Sequence, residues 1–103
     1  DHGVRLVSDE IYHGITYGGT GRGATAADRA AEGAVVVSSF SKYWGMTGWR
    51  LGWLVLPPDL VAPVDALAGN LALCPPALAQ HAALAAFTEE SYAEADERVR
   101  EYA

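Results

Sequence analysis

The chain of 103 residues contains one lysine, Lys42, and its neighbours have the types and spacing of a nucleophilic amine site. It lies in Ser39-Phe40-Ser41-Lys42-Tyr43-Trp44-Gly45-Met46-Thr47-Gly48-Trp49-Arg50, and Lys42 is the only charged residue between Glu32 and Arg50. Lysines usually stand among other charges on helix faces. This one follows a β-branched run, Val35-Val36-Val37, and sits among hydroxyls, aromatics and glycines. Burial in such surroundings disfavours the charged form of an amine and frees its lone pair. A neutral amine can attack a carbonyl carbon, which is what imine chemistry requires. Taken alone, Lys42 reads first as a solvated loop lysine in a chain that prefers arginine.

Its companions change that reading. Asp9 and Tyr12 stand just past a first apolar run, Val4-Arg5-Leu6-Val7; Lys42, Ser39 and Ser41 stand past a second; Arg50 opens a third. If these strand ends converge, one site holds a carboxylate, a phenol, an amine, two hydroxyls and a guanidinium. Pyridoxal phosphate asks a protein for that set. The amine forms an imine with its aldehyde, and a carboxylate keeps the ring nitrogen protonated so that the ring can accept electrons. A phenol can hydrogen-bond the ring oxygen. Arginine grips phosphate in bidentate fashion, and serine hydroxyls fill the remaining acceptors. Asp9 alone reads as a helix cap and Arg50 alone as a surface charge; their joint spacing with Lys42 argues against both.

Three stretches carry a family likeness: Ser8-Asp9-Glu10-Ile11-Tyr12, Ser39-Phe40-Ser41-Lys42, and Met46-Thr47-Gly48-Trp49-Arg50-Leu51-Gly52. With Asn70 and the Pro-Pro-x-x-x-Gln run ending at Gln80, they resemble the class I/II pyridoxal-phosphate-dependent aminotransferases. These are the aspartate aminotransferase superfamily of fold type I. The resemblance implies an α/β fold, with the chain a fragment of the large cofactor domain: a mostly parallel sheet flanked by helices. The last helix would lead toward the small domain. It implies Asp9 at the pyridine nitrogen, Tyr12 at the ring oxygen, and Lys42 as Schiff-base lysine and proton shuttle. Ser39 and Arg50 would bind the phosphate, with Ser41 beside them. The implied activity is ping-pong amino transfer between an amino acid and a 2-oxo acid, in a cytoplasmic homodimer of amino acid metabolism. The family's substrate-carboxylate arginine and glycine-rich phosphate segment would lie outside this chain. Two alternatives share these residues: a lyase performing C–S cleavage or β-elimination, and a non-catalytic effector-binding domain of a transcription regulator. The second requires a basic helix-turn-helix segment upstream.

The elements that must position these groups follow from the apolar pattern. Strands are expected at residues 4 to 7, 34 to 37 and 51 to 56, the middle one covered on both faces. Residues 14 to 33, rich in Gly, Thr and Ala, read as a loop with a helical turn near 26 to 31. A helix is expected over 59 to 69, delayed or kinked by Pro63. Pro75-Pro76 opens a second, through 87, apolar nearly all round and therefore expected to be buried. Thr88 can cap a third, with Tyr92, Ala95, Val99 and Tyr102 in one stripe and Glu94–Arg98 and Asp96–Arg100 as pairs.

Composition closes several other routes. A net charge of −6 offers no basic cluster for nucleic acid. Half the residues are apolar, yet no run approaches membrane-spanning length. The single cysteine, Cys74, excludes an internal disulfide and fits a reducing cytoplasm. Glu10-x-x-His13 has half of a di-iron motif, which needs a second copy and further glutamates; no metal site is expected. Gly18-Gly19-Thr20-Gly21-Arg22-Gly23 lacks the Lys-Ser/Thr ending of a P-loop and reads as a surface loop. His2 and His81 read as structural or exposed, and the three tryptophans as packing residues, Trp44 near enough to Lys42 to line its pocket. The chain does not begin with Met and ends inside a charged helical pattern, so it reads as a piece of a longer protein. Alone, it would expose apolar strand and helix faces.

Overall fold

The computed structural model describes residues 2–18 and 21–103. Three short strands make one sheet in the spatial order β1 (Val7–Asp9), β2 (Val35–Ser39), β3 (Gly52–Val55). β1 runs parallel to β2, with Asp9 opposite Val37. β3 runs antiparallel to β2, with Ser39 opposite Gly52. The reversal matters for the site. It brings the start of β3 to the same end of the sheet as the finishes of β1 and β2, whereas a parallel third strand would have sent Arg50 to the far end.

The first strand begins later than its apolar run suggests. Val4 is 83% exposed and lies outside the ladder, which opens where the Val35 amide donates to the Leu6 carbonyl at 3.0 Å. β2 offers no partner before Val35, and an unpaired segment of three residues cannot hold strand conformation by itself. Within β2, Val35 and Val36 point to opposite faces and are both buried, while Val37 is exposed.

A 3₁₀ helix, Ala27–Glu32, occupies the expected turn. α1 spans Pro58–Leu71. It starts ahead of Pro63 rather than being delayed by it, because Pro58 sits in the first turn, where a missing N–H costs nothing. α2 (Ala77–Leu84) runs into a 3₁₀ turn, Ala85–Phe87, and α3 spans Glu89–Tyr102. The Thr88 hydroxyl accepts the Ser91 amide at 3.2 Å, with Glu89 and Glu90 in the first turn.

Contrary to expectation, α2 buries only its alanine face: Ala79 and Ala83, with Ala86 beyond, pack on Phe40 and Leu51, while Leu78 and Leu84 are 79% and 70% exposed. Small side chains let the helix approach the aromatic layer closely, and the leucines turn away from it. Phe40 is the hub of that layer, its ring 5.1 Å from Trp44, 5.0 Å from Trp53 and 5.7 Å from Phe87. Each such pair adds about 0.5–1.5 kcal/mol beyond the area it buries. On α3 the Glu94–Arg98 pair forms, but Arg100 pairs with Glu97 and not with Asp96. Asp96 is already taken by Tyr43 and Arg22.

Candidate functional site

The turn after β2 holds Lys42 from both sides. The Phe40 amide donates to Leu51 O at 3.1 Å, the Met46 amide to Phe40 O at 3.1 Å, and the Gly45 amide to Lys42 O at 3.0 Å. Thr47 Oγ1 closes the turn on Ser41 O at 2.7 Å. Phe40, Ser41 and Tyr43 are buried, so Lys42, itself half-buried, projects from an anchored backbone.

Two adjoining clefts meet at Lys42, and a third adjoins them at Tyr12. Ser39, Ser41, Lys42, Thr47 and Arg50 line one of about 420 Å³. Lys42, Ser41 and Thr47 also line a second, of about 350 Å³, with Tyr12, Ile15, Tyr17 and Tyr102. Tyr12 continues into a third, of about 500 Å³, which Asp9 lines. Lys42 Nζ lies 5.9 Å from the centroid of the Tyr12 ring. The serines, the amine and the guanidinium thus share one cleft. Asp9 lines a different one, linked to Lys42 through Tyr12, which lines both the Asp9 cleft and the second Lys42 cleft.

Local chemistry explains each position. Asp9 Oδ1 accepts the Ile11 amide at 3.2 Å, so the carboxylate holds a turn at the end of β1 rather than capping a helix. Ser39 Oγ accepts the Ser41 amide at 3.2 Å, which leaves its hydroxyl proton free to donate. Arg50 closes the 3₁₀ turn Thr47–Trp49 in the left-handed region, φ 54°, with Nη1 on Thr47 O at 3.0 Å. Gly52 is fixed by closeness: a Cβ there would lie 2.7 Å from Ser38 O. Any side chain would push β3 away from Ser39.

Several residues have roles that the sequence did not reveal. Glu10 is a loop clamp: it accepts from Ser8 Oγ at 3.0 Å, Thr25 Oγ1 at 2.6 Å and the Ala26 amide at 2.7 Å. No group of three metal-ligating side chains occurs among the described residues. Burial disfavours the Glu10 charge, but the Ala26, Thr25 and Ser8 hydrogen bonds and nearby His13 outweigh it and hold the carboxyl below its ordinary value. A depressed folded-state value gives stability that is present above the unfolded value, about 4.3, and lost as pH falls through the folded one. Wild-type thermal stability should therefore fall more steeply on acidification through that range than that of Glu10→Gln. Parallel curves would remove Glu10 from this role.

Trp44 does not line the clefts around Lys42; its Nε1 donates to Ala86 O at 2.9 Å and its ring joins the aromatic layer. His2 and His81 are exposed. Of the glycine-rich stretch, Gly19 and Thr20 lie outside the described residues, and Arg22 reaches back to Tyr43 and Tyr92.

The sequence model of the family described as aminotransferase class I and II matches residues 1–103. The valine–pyruvate aminotransferase of Mycobacterium tuberculosis is 54% identical over 100 residues, covering 97% of this chain and 26% of that protein. An aspartate aminotransferase of Geobacillus stearothermophilus is 39% identical over 90 residues, covering 84% of this chain and 23% of its own length. The crystal structure of an aminotransferase from Mycobacterium tuberculosis superposes with a TM-score of 0.87 at 54% identity, over 96% of this chain and 27% of that one. The chain spans about a quarter of the length of the relatives it matches.

Proposed function

This chain belongs to the class I and II aminotransferases, and from that premise we propose that the longer protein moves an amino group between an amino acid and a 2-oxo acid, using pyridoxal 5'-phosphate held at Lys42. The observation that carries the reading is the shared cleft of Lys42, Ser39, Ser41 and Arg50, with the Tyr12 ring 5.9 Å from the amine. The donor set fits the cofactor. Arg50, Ser39 and Ser41, which share a cleft with Lys42, would hold the cofactor's phosphate, and Asp9, in the cleft that Tyr12 also lines, would serve its ring nitrogen. The bound cofactor supplies an aldehyde that takes up the amino group and a ring that accepts the electrons left when the α-proton departs.

The residues divide the work. Lys42 Nζ would hold the cofactor covalently and, once displaced by the incoming amino acid, carry the α-proton off and return it. Such positioned acid–base chemistry contributes on the order of 10²- to 10⁴-fold in rate. Asp9 would keep the ring nitrogen protonated through the oxygen that the Ile11 amide leaves free. The Tyr12 hydroxyl would donate to the ring oxygen. Arg50 and the serines would hold the phosphate with charge-assisted hydrogen bonds.

Further proposals concern the whole protein. Cys74 as the sole cysteine fits the reducing cytoplasm. The exposed Leu73, Leu78 and Leu84 fit burial in a larger assembly, which we take to be the remainder of the cofactor domain and its homodimer. α3 would lead on toward a smaller domain. The test is product analysis of the full-length enzyme, starting with valine and pyruvate, the pair in the name of the 54% identical relative. The expected products are the keto acid of the donor and the amino acid of the acceptor, in equal amounts. Stoichiometric ammonia would replace transfer with elimination.

A further inference from the structure

The segment carrying Tyr12 and the turn carrying Lys42 come from different strands, yet one cluster pins them face to face. The Arg22 guanidinium carbon lies 4.2 Å from the Tyr92 ring centroid and 5.6 Å from that of Tyr43. Its Nη2 is 3.7 Å from Asp96 Oδ2, and the Tyr43 hydroxyl donates to Asp96 Oδ1. The backbone of Arg22 takes part as well: its carbonyl accepts the Gly14 amide at 3.1 Å. Gly14, at φ 95°, lies so close to the Tyr43 ring that a Cβ would sit 2.7 Å from it. Tyr43 adjoins Lys42, and Gly14 is two residues from Tyr12.

We propose that Arg22, held by Tyr43, Tyr92 and Asp96, is a positioning residue that fixes the Tyr12 phenol relative to the Lys42 amine and ties both to α3. The proposal rests on the transaminase reading above. Its geometry has a clear logic. A cation between two rings and a carboxylate is attracted by all three partners. Only glycine at 14 permits the approach that makes Tyr43 a stop for the Tyr12 turn. The Ile15 amide on Tyr12 O, at 3.0 Å, then fixes the turn in which the phenol rides. Arg22 borders the cleft that Asp9 and Tyr12 line. Its ring, ion-pair and hydrogen-bond partners, however, are Tyr43, Tyr92, Asp96 and Gly14, so its effect on the Tyr12 and Lys42 pair passes through Tyr43 and Gly14. Burial and the bond to Asp96 raise the Tyr43 phenol above its ordinary value against the pull of Arg22, which keeps it protonated as the donor.

The test uses the full-length enzyme with Arg22→Ala and Arg22→Lys. In the cofactor-free protein, hydrogen exchange at the Gly14 amide should accelerate in Arg22→Ala, while the β2 amides of Val36 and Val37 keep their protection. Misplacement of a catalytic pair lowers turnover rather than binding, so kcat should fall about ten- to a hundredfold with KM changed less than about twofold. Arg22→Lys keeps a cation against the rings and should recover most of that loss. Unchanged Gly14 exchange, an unchanged kcat, or a loss shared with the β2 amides would each overturn the proposal. A wild-type enzyme without amino transfer would overturn the functional reading itself and this role with it. An active wild type alongside an unaffected Arg22→Ala overturns the positioning role alone.

Discussion

Lys42→Ala in the full-length enzyme should lose roughly 10⁴-fold or more in turnover while folding normally. The two halves of that expectation have separate causes. Among the described residues the Lys42 ammonium has no ion pair, and its contact is the face of the Tyr12 ring at 5.9 Å. The turn is held instead by Phe40, Ser41, Tyr43 and the Thr47 hydroxyl, none of which the truncation touches. Stability should therefore move by no more than about 0.5 kcal/mol. Turnover has no such substitute among the described residues, because no other amine lines the clefts at Lys42. Lys42→Arg should be as inactive, since a guanidinium keeps the charge but does not give up its proton to become a nucleophile. A small exogenous amine should restore part of the proton transfer to Lys42→Ala and none to Lys42→Arg, where the space stays filled. Turnover is read with amino donor and keto acid, and covalent attachment by the visible absorbance of the protein. A Lys42→Ala enzyme with wild-type turnover would place the chemistry elsewhere.

How far the sequence foretold this site depends on which interactions are local. Asp9, Tyr12, Ser39, Ser41, Lys42 and Arg50 could be picked out because each stands just past an apolar run or, for Arg50, at the start of one, where a chemical group and a chain reversal coincide. That Ser39, Ser41, Lys42 and Arg50 share one cleft could not be read from those runs. It depends on β3 being antiparallel, which the tight turn from Lys42 to Arg50 decides through Thr47 and the left-handed Arg50. The start of β1 was misplaced because Val4 and Leu6 are as apolar as Val7, and only the partner strand shows where pairing begins. Similarly, Asp96–Arg100 has the spacing of a helix pair, but a tertiary partner, Tyr43, claimed the carboxylate. Glu10 and Arg22 were hidden for the same reason. Beyond the near ones, Ser8 and Gly14, their partners Thr25, Ala26, Tyr43 and Asp96 lie 15 to 74 residues away at positions with no periodic signature. The leucines of α2 show the opposite limit: an all-apolar helix predicts burial in the whole protein, and this chain is about a quarter of its relatives' length.

Arg50 combines two effects that a pair of substitutions can separate. Its guanidinium lines the Lys42 cleft, and its backbone occupies the left-handed region at φ 54°, ψ 50°. A residue with a Cβ holds that conformation at a cost of about 1–2 kcal/mol, which glycine does not incur. Glycine in turn leaves the unfolded chain freer by roughly 0.5–1 kcal/mol, so the relief of strain exceeds that loss by roughly 0.5–1 kcal/mol, about what the lost Nη1 bond contributed. Arg50→Gly should therefore leave the cofactor-free protein close to wild-type stability, and Arg50→Ala should be less stable than Arg50→Gly. Both variants lose the Nη1 bond to Thr47 O, so that contact does not separate them. Cofactor affinity should behave differently. Charge-assisted hydrogen bonds to a phosphate contribute about 1.5–3 kcal/mol, which is roughly a ten- to 150-fold rise in Kd for both variants. Arg50→Lys, a point charge without the planar fork, should fall between them and wild type. Equilibrium titration of the cofactor-free enzyme with pyridoxal phosphate measures the affinity, and thermal unfolding of the same samples measures the stability. Wild-type affinity in Arg50→Gly would move the phosphate away from this cleft, and greater stability in Arg50→Ala than in Arg50→Gly would show that the backbone at this position is not strained.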